Sequence, residues 1–414
     1  MKTFFYGWVV TASAFMVLFL TYGVQYSFGI FVPAMMDDLG WQHASLGGAF
    51  SLYTVVYTGF SLITGRLTDS FGPRRIVGIG AILLGMGIMV TSQVSSQWQL
   101  FFWYGIVAAL GMSTAYIPCN MTVVRWFQRR RGLALGLASS GASCGILVVP
   151  LFASLMIDKY DWRIGLLVLG AILFVITSIA AHFMVRDPEQ MGLLPDGEGR
   201  LSLARERSPD AIGLIEPAVQ ASGWTLREAS TTASFWTFLV AFLVTMLTVT
   251  VPFVHIASFA RDIGLSNMSG AMTISVIGLF AFAGSMFLGA LSDRIGRKVT
   301  IVISFVSQVI AFTLFLNADN ATTLYLGAAA FGFFYGSFAT LFPALVGDLF
   351  GPAHAGAIGG LIFAAGGLLG GWGPALAGYL RDVQGDYRLV FLSCLVTALC
   401  GLLLFALLPR PQRS

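Results

Sequence analysis

Long apolar stretches alternate with short polar ones along almost the whole chain. Twelve apolar windows, bounded by charged residues, Gly or Pro, are long enough to cross a bilayer, because about 20 helical residues span its hydrocarbon core. The predicted spans are 5–34, 44–65, 76–95, 98–124, 132–156, 163–184, 233–260, 269–291, 299–317, 321–349, 355–380 and 388–408. The pattern therefore predicts an all-α polytopic membrane protein with twelve transmembrane helices.

One long polar stretch separates the sixth predicted span from the seventh. It covers residues 185–231 and mixes acidic and basic residues with Pro and Gly, which is typical of a connector without a folded core. A short interfacial helix is predicted at 224–232. The predicted organisation is an N-terminal six-helix bundle over 1–184, a cytoplasmic connector over 185–231 and a C-terminal six-helix bundle over 232–414.

The two halves of the chain repeat each other. A loop motif recurs at an offset of 224 residues, first as Gly65, Asp69 and Gly72 and then as Gly289, Asp293 and Gly296. Gly132 and Gly356 hold the same offset at the openings of spans five and eleven. The repeats predict gene duplication and two pseudo-symmetric bundles, an architecture typical of alternating-access transporters with a site between the halves.

Composition agrees with a membrane location. Only 10% of the 414 residues are charged and 57% are hydrophobic, whereas soluble domains carry about 25% charged residues. This excludes a soluble enzyme, a nucleic-acid-binding protein and a disulfide scaffold. The four cysteines lie in apolar segments without metal-ligand spacing, so neither a metal nor a cofactor is expected.

The 23 Lys and Arg residues are distributed unequally between the two sides of the predicted bundle. If the N-terminus is cytoplasmic, the outward segments hold only five of them, namely Lys159, Arg163, Arg261, Arg381 and Arg388. Because basic residues concentrate in cytoplasmic loops, we predict a multi-pass protein of the cell (inner) membrane with both termini in the cytoplasm.

The segments GRLTDSFGPRR (65–75) and GALSDRIGRK (289–298) resemble the loop signature of the major facilitator superfamily, G-x-x-x-D-x-x-G-R-[RK]. The resemblance implies a gate in which a carboxylate at a helix end pairs with a nearby guanidinium and with the N-terminus of a helix from the other half. The gating residues it implies are Gly65, Asp69, Gly72, Arg74, Gly289, Asp293, Arg294, Gly296 and Arg297.

Within that superfamily, Gly7-Trp8-Val9-Val10 and the segment 126–136 resemble the monocarboxylate transporter group. The segments at 23–31, 252–266 and 341–351 are similar to its bacterial relatives and to the oxalate/formate antiporters. The resemblance implies a secondary active transporter, functional as a monomer, that moves a small organic acid such as lactate or pyruvate, often with a proton, by rocker-switch alternating access.

Three positions depart from that family. The arginine expected on span eight, four residues before Gly289, is Ser285, the acidic residue one turn earlier is Ala281, and the span-one lysine is Ile30. A carrier for a neutral or other small metabolite therefore stays an open alternative. A membrane enzyme or a sensor would need a catalytic cluster or a soluble output domain, and the sequence contains neither.

Polar side chains inside predicted spans are the candidate substrate-binding residues, because apolar surroundings penalise polar groups without a role. They are Tyr22, Gln25, Tyr26, Tyr116, Asn120, His255, Ser285, Tyr335 and Thr340. His255 is also the candidate for proton coupling, since histidine ordinarily titrates near neutral pH. Packing of the aromatic rings and a satisfied helix-end histidine are the competing interpretations.

Overall fold

The computed structural model describes residues 5–197, 224–351 and 355–409. Within these residues, twelve helices are long and apolar enough to cross a membrane, as predicted. They are α1 Gly7–Leu39, α2 His43–Phe71, α3 Pro73–Thr91, α4 Gln97–Trp126, α5 Arg131–Lys159, α6 Trp162–His182, α7 Ala233–Asp262, α8 Asn267–Ile295, α9 Arg297–Leu316, α10 Ala321–Phe350, α11 Ala355–Gly370 continued by Gly373–Gln384, and α12 Arg388–Leu407.

Several helices run past the apolar windows that predict them. The first span, predicted to end at residue 34, continues past two aspartates to Leu39 and ends at Gly40, whose φ is 66°. The second continues through its copy of the loop motif to Phe71. A helix keeps its backbone hydrogen bonds in water as well as in lipid, so hydropathy alone does not locate its end.

Three of the membrane helices are interrupted. α4 has a π-helical turn at Trp103–Ala108 and a break just before Tyr116, α7 breaks at Thr250, and the two parts of α11 meet just before Pro374. Pro252 explains the break in α7, and Pro374 the break in α11, because proline cannot donate the helical hydrogen bond and clashes with the preceding turn. Such breaks free backbone groups and re-aim side chains near the middle of the bundle.

The loop motif forms a tight helix-to-helix turn in both halves. Gly72 ends α2 with φ 83°, and Gly296 ends α8 with φ 90°. Glycine occurs here because other residues rarely adopt positive φ. We call the end of the bundle that contains these two turns the signature face, and the other end, which contains Gly40 and Gly385, the opposite face.

The duplication is also visible in side-chain contacts. Arg74, at the start of α3, lies with Nη2 2.6 Å from Nδ1 of His182 at the end of α6. Lys298, at the start of α9, donates from Nζ to the carbonyl oxygen of Leu408 just after α12, at 2.7 Å. Each half thus joins the first turn of its third helix to the end of its sixth.

The connector is described only at its two ends. Asp196 accepts hydrogen bonds from the backbone N–H groups of Gln128, Arg129 and Arg130, which attach the connector to the loop before α5. Partial burial raises the pKa of this carboxyl, but the three N–H donors lower it by more, so the pKa lies below the usual range. The helix predicted at 224–232 is short, Leu226–Ala229. Residues 198–223 lie outside the described residues, and the predicted domain boundaries stay a prediction.

Candidate functional site

Five tyrosines meet near the middle of the bundle. Tyr22 and Tyr26 lie one turn apart on α1, and the other tyrosines around Tyr22 are Tyr57 of α2, Tyr116 of α4 and Tyr335 of α10. The ring centroids of Tyr22 and Tyr116 are 6.3 Å apart in an edge-on arrangement. α1, α2 and α4 come from the first half of the chain and α10 from the second. We call this set the tyrosine cluster.

A hydrogen bond inside the cluster joins the two halves. The hydroxyl oxygens of Tyr26 and Tyr335 are 2.7 Å apart. Phe253 of α7 packs beneath both rings, with centroid distances of 4.0 Å to Tyr26 and 5.2 Å to Tyr335. The fully buried Phe253 separates the cluster from the opposite face.

On the signature-face side of the cluster the side chains become accessible. Tyr116 is 45% exposed. Asn120, one turn further along α4, donates to the carbonyl oxygen of Tyr116 at 3.1 Å and accepts from the Ser139 hydroxyl of α5 at 3.1 Å. The cluster therefore lies next to open space, lined by neutral hydrogen-bonding groups.

Ser285 and Thr340 also lie on the signature-face side. Their hydroxyl oxygens are 2.6 Å apart and join α8 to α10. Thr340 also donates to the carbonyl oxygen of Gly336 at 3.1 Å. The position where relatives are expected to hold an arginine thus presents only a small hydroxyl, and neutral hydroxyls that turn from these bonds to a carboxylate bind it more weakly than a bidentate guanidinium.

Gln25 is buried at 3% exposure on α1, and its Oε1 has no hydrogen-bond partner among the described residues. A buried amide oxygen without a donor costs free energy unless water or a ligand satisfies it. No described contact joins Gln25 to the tyrosine cluster, so its role in binding stays a prediction.

His255 lies on the other side of Phe253, towards the opposite face. Its side chain is 1% exposed, with Nε2 2.9 Å from the carbonyl oxygen of Pro374 and Nδ1 3.2 Å from the hydroxyl of Tyr387. A carbonyl only accepts, so Nε2 carries the hydrogen and Nδ1 accepts from Tyr387. The neutral ring is thus fully bonded, and the structure places it outside the tyrosine cluster.

The first copy of the predicted gate forms an ion-pair network. Arg125, at the end of α4, lies 2.7 Å from Asp69 and 2.9 Å from Asp187 of the connector. In the second half Arg297 lies 2.5 Å from Asp348 and donates to the carbonyl oxygen of Ala344 at 2.8 Å. Arg294 is exposed, and the side chain of Asp293 lies outside the described residues.

Four residues of the site and of the ion pairs carry no sequence signal strong enough to select them, namely Tyr57, Phe253, Asp187 and Asp348. Tyr57 is one of twelve tyrosines, although its i, i+4 spacing with Tyr53 was a usable sign of a shared face. Phe253 is one of 35 phenylalanines, and its neighbour Pro252 is the only local hint of a break. Asp187 and Asp348 reach their arginines only through the fold.

The two halves are joined at the opposite face. Arg261 of α7 lies 2.5 Å from Asp37 of α1, and Asp382 of α11 accepts from His43 of α2 at 2.9 Å. The N–H of Ala375 donates to the Ser51 hydroxyl at 3.1 Å. These contacts cross between the halves and close this end of the bundle.

The signature face is open between the halves. The inter-half hydrogen bonds and ion pairs named above lie at the tyrosine cluster or towards the opposite face. Near the signature face, by contrast, a Cβ added at Gly132 or Gly136 of α5 or at Gly360 of α11 would meet nothing within 4 Å among the described residues. The structure therefore represents a state closed at the opposite face and open at the signature face, with the tyrosine cluster at the end of the opening.

The described residues contain no group of three or more His, Cys, Asp or Glu side chains able to hold a metal ion.

Comparison with known families shows which family the chain belongs to. The family model described as Major Facilitator Superfamily matches residues 14–284 and 260–414. The chain belongs to the major facilitator superfamily. This confirms the resemblance, the all-α fold with twelve transmembrane helices in two six-helix bundles, and the interpretation as a multi-pass transporter, not an enzyme.

Among characterised members, the chain is 29% identical to monocarboxylate transporter 11 of Mus musculus, over 99% of this chain and 89% of that protein. It is 28% identical to monocarboxylate transporter 13 of Rattus norvegicus, over 96% and 87% of the two chains. The protein is thus a superfamily transporter related to the monocarboxylate transporters.

Solved superfamily structures share the fold at low identity. A D-xylose-proton symporter aligns with a TM-score of 0.73 and 13% identity over 98% of both chains. The nucleoside transporter NupG aligns with a TM-score of 0.70 and 14% identity, also over 98% of both chains. These likenesses support the architecture and say nothing of this transporter's substrate.

Proposed function

We propose that this transporter moves a small monocarboxylate, of the lactate or pyruvate class, across the cell (inner) membrane by rocker-switch alternating access. The site is the tyrosine cluster together with Asn120, Ser285 and Thr340. The signature face, with the termini, is cytoplasmic, because 18 of the 23 basic residues belong to that side. The state described above is then open to the cytoplasm.

The observation that carries this proposal is the bond between Tyr26 and Tyr335 at the end of the opening. Only one of the two hydroxyls donates in that bond, because each phenol has a single hydrogen. A carboxylate bound there accepts from both hydroxyls at once, and charge-assisted bonds of this kind are roughly twice as strong as neutral ones. Because each hydroxyl belongs to a different half, binding also acts on the relative position of the halves.

A neutral metabolite is the second candidate substrate. The observation that favours it is that Ser285 faces Thr340 with a neutral hydroxyl, so that the groups at this position are two hydroxyls already bonded to each other. A carboxylate loses much of its hydration on entry, and neutral donors offset this cost less completely than a guanidinium.

Counterflow in liposomes tests the substrate class. The purified protein is reconstituted with internal lactate or pyruvate, and entry of the radiolabelled acid is compared with entry of the matching uncharged amide. We expect acid counterflow above that of protein-free liposomes, with the amide near background. Amide counterflow equal to or above acid counterflow would select the neutral-metabolite alternative.

His255 is the proposed site of proton coupling. The ring takes a second proton only if the Tyr387 hydroxyl turns to accept from Nδ1, which a phenol oxygen is able to do. We expect His255→Gln to weaken pH-driven accumulation and leave counterflow intact, since counterflow needs no net proton movement. Full uphill uptake by this variant would assign His255 to packing of α7 against α11.

A further inference from the structure

An apolar groove lies near the signature face, between α7 and α11 and beside the short helix Leu226–Ala229. Its volume is about 560 Å³, which is within the range of small-molecule sites, about 300–1,000 Å³. The side chains that line it within the membrane helices include Trp236, Leu239, Leu361 and Ala365. We call it the lateral groove.

The lateral groove opens towards lipid and not towards the other half of the molecule. Leu361, Ala365 and Leu368 follow each other at i, i+4 and i+7, so they share one side of α11. Both leucines are exposed, and exposed apolar side chains in a row mark a surface that contacts the membrane. Gly367, on a different side of α11, packs against Thr58 of α2. The groove therefore lies outside the contact between the halves.

The connector end of the groove is held in place by hydrogen bonds. The N–H of Trp224 donates to the carbonyl oxygen of Phe350, at the end of α10, at 2.8 Å. Thr225 and Glu228 form a capping box, in which the N–H of Thr225 donates to Glu228 Oε2 at 2.8 Å and the N–H of Glu228 to the Thr225 hydroxyl at 3.3 Å. The short helix is thus attached to the C-terminal bundle, with the Glu228 carboxylate bonded to its first turn.

One arginine lines the groove at this end. Arg227 is exposed and forms no ion pair within the part of the chain that the structure describes. Beside it, the Ser230 hydroxyl donates to the Arg227 carbonyl oxygen at 2.8 Å, and the indole N–H of Trp236 donates to the Ser230 carbonyl oxygen at 2.8 Å. An arginine lays its apolar stem along such a wall and keeps its guanidinium in the polar layer. The groove is therefore apolar within the membrane helices and positively charged at the connector end.

We propose that the lateral groove binds an anionic phospholipid of the leaflet at the signature face. One acyl chain fills the apolar part, and the phosphate accepts charge-assisted hydrogen bonds from the Arg227 guanidinium. Trp236 then lies at the headgroup level, where tryptophan is enriched in membrane proteins. A zwitterionic lipid fits the apolar walls equally well, so the preference for net negative charge comes from Arg227.

This lipid site is independent of the proposed substrate and of alternating access. All residues that line the groove belong to the connector or to the C-terminal bundle, so movement of one bundle against the other does not take the groove apart. The bound lipid joins the end of the connector to α7 and α11. Its binding requires only that the chain lies in a bilayer with anionic lipid on that side.

Quenching of Trp236 by brominated lipid tests the proposal. The purified full chain is placed in nanodiscs of phosphatidylcholine that contain a minor fraction of phosphatidylglycerol with brominated acyl chains. The difference in fluorescence between the parent protein and Trp236→Phe isolates this indole among the nine tryptophans. We expect phosphatidylglycerol beside Trp236 to be enriched roughly fivefold over its bulk fraction, which corresponds to about 1 kcal/mol for one basic residue at the lipid surface.

Two variants separate the charge from the groove. Arg227→Gln removes the cation and is expected to bring the enrichment to within about twofold of the bulk fraction. Ala365→Phe places a ring where the acyl chain lies and is expected to reduce the enrichment while the arginine is kept. Arg66→Gln removes an exposed arginine of α2 near the same face and is the matched control, which should keep the full enrichment.

Brominated phosphatidylcholine in the same amount, with unlabelled phosphatidylglycerol, is expected to show no enrichment beside Trp236. Equal enrichment of the two lipids would mean that the groove takes any acyl chain, and it would overturn the anionic site. A bulk distribution of phosphatidylglycerol in the parent protein, or full enrichment in Arg227→Gln, would overturn it as well.

Discussion

At the scale of single residues, the tyrosine hydroxyls inside the bundle differ in whether they have a hydrogen-bond partner. Tyr26 and Tyr335 bond each other across the halves, whereas the hydroxyls of Tyr53 and Tyr104 have no partner among the described residues although their rings stack at 4.8 Å. Removal of a hydroxyl therefore has different consequences at the two places, and the second place supplies a matched control.

The first prediction concerns Tyr335→Phe. The change leaves the Tyr26 hydroxyl without its partner and removes one donor to the substrate, which costs about 1–3 kcal/mol. We expect the concentration for half-maximal uptake to rise by roughly tenfold, measured as initial uptake rates in proteoliposomes. Tyr104→Phe should leave uptake near the parent value. Equal effects of the two changes would contradict a binding role for the tyrosine cluster.

Ser285→Arg tests whether the space beside Thr340 takes an anion. A guanidinium at this position adds charge-assisted hydrogen bonds worth about 1.5–3 kcal/mol, so small carboxylates should bind roughly 10-fold to 100-fold more tightly relative to uncharged analogues. A binding titration of the purified protein measures this preference. Ser285→Gln, long but neutral, is the control. No gain of carboxylate preference would indicate that the cavity serves other chemistry.

At the scale of elements, the loop motif does more than turn the chain. It ends α2 at Gly72, and its carboxylate Asp69 extends to Arg125 at the end of α4, which also binds the connector through Asp187. One guanidinium thus joins two helix ends and the segment between the halves. Because Asp69 is more than half exposed, each pair contributes only about 0.2–1 kcal/mol.

Asp69→Asn is accordingly predicted to act on rate and not on binding. We expect turnover to fall by roughly twofold to fivefold, the factor that corresponds to about 1 kcal/mol between two states of the gate, with normal membrane insertion and little change in substrate affinity. Uptake kinetics and quantification of inserted protein measure these quantities. Asp158→Asn, an exposed carboxylate at the other end of α5, is the control. Unchanged turnover at normal expression would refute the gate interpretation.

At the scale of the whole molecule, helices with small residues at their contacts join the two halves towards the opposite face. The halves separate towards the signature face. Gly278 of α8 packs directly on the α5 backbone, where a built Cβ lies 2.6 Å from the Leu147 nitrogen. Gly29 packs in the same way on the Phe253 carbonyl. Small residues permit this close approach, which is stabilising in a membrane without a hydrophobic drive between helices.

Gly278→Ala should therefore disfavour the state described here. The added methyl group overlaps backbone atoms, which cannot rotate away, and overpacking costs about 1–3 kcal/mol. We expect the population closed at the opposite face to fall relative to the open one by roughly fivefold or more, measured by double electron–electron resonance between spin labels at Gln42→Cys and Gln384→Cys in the cysteine-free protein. Gly78→Ala, where a Cβ meets open space, should leave the distribution unchanged. An unaltered distance distribution in Gly278→Ala would exclude this contact from the interface between the halves.

Much of the architecture could be predicted from local features of the chain. The length of apolar windows determines the twelve spans, the repeat at an offset of 224 residues predicts the two bundles, and two motif glycines mark turns that need positive φ. Helix ends were predicted less well, because charged residues such as those after Pro33 continue a helix beyond the hydrocarbon window.

Only the tertiary structure decided which polar residues meet. Tyr26 and Tyr335 are 309 positions apart in the chain, and His43 and Asp382 are 339 apart. Their contacts depend on how one bundle packs on the other, which hydropathy and motif spacing within a segment do not encode. For the same reason the sequence selected His255 as an isolated polar residue. Its place outside the tyrosine cluster, and the exposure of Tyr116, follow from how the broken helices α4, α7 and α11 pack against their neighbours.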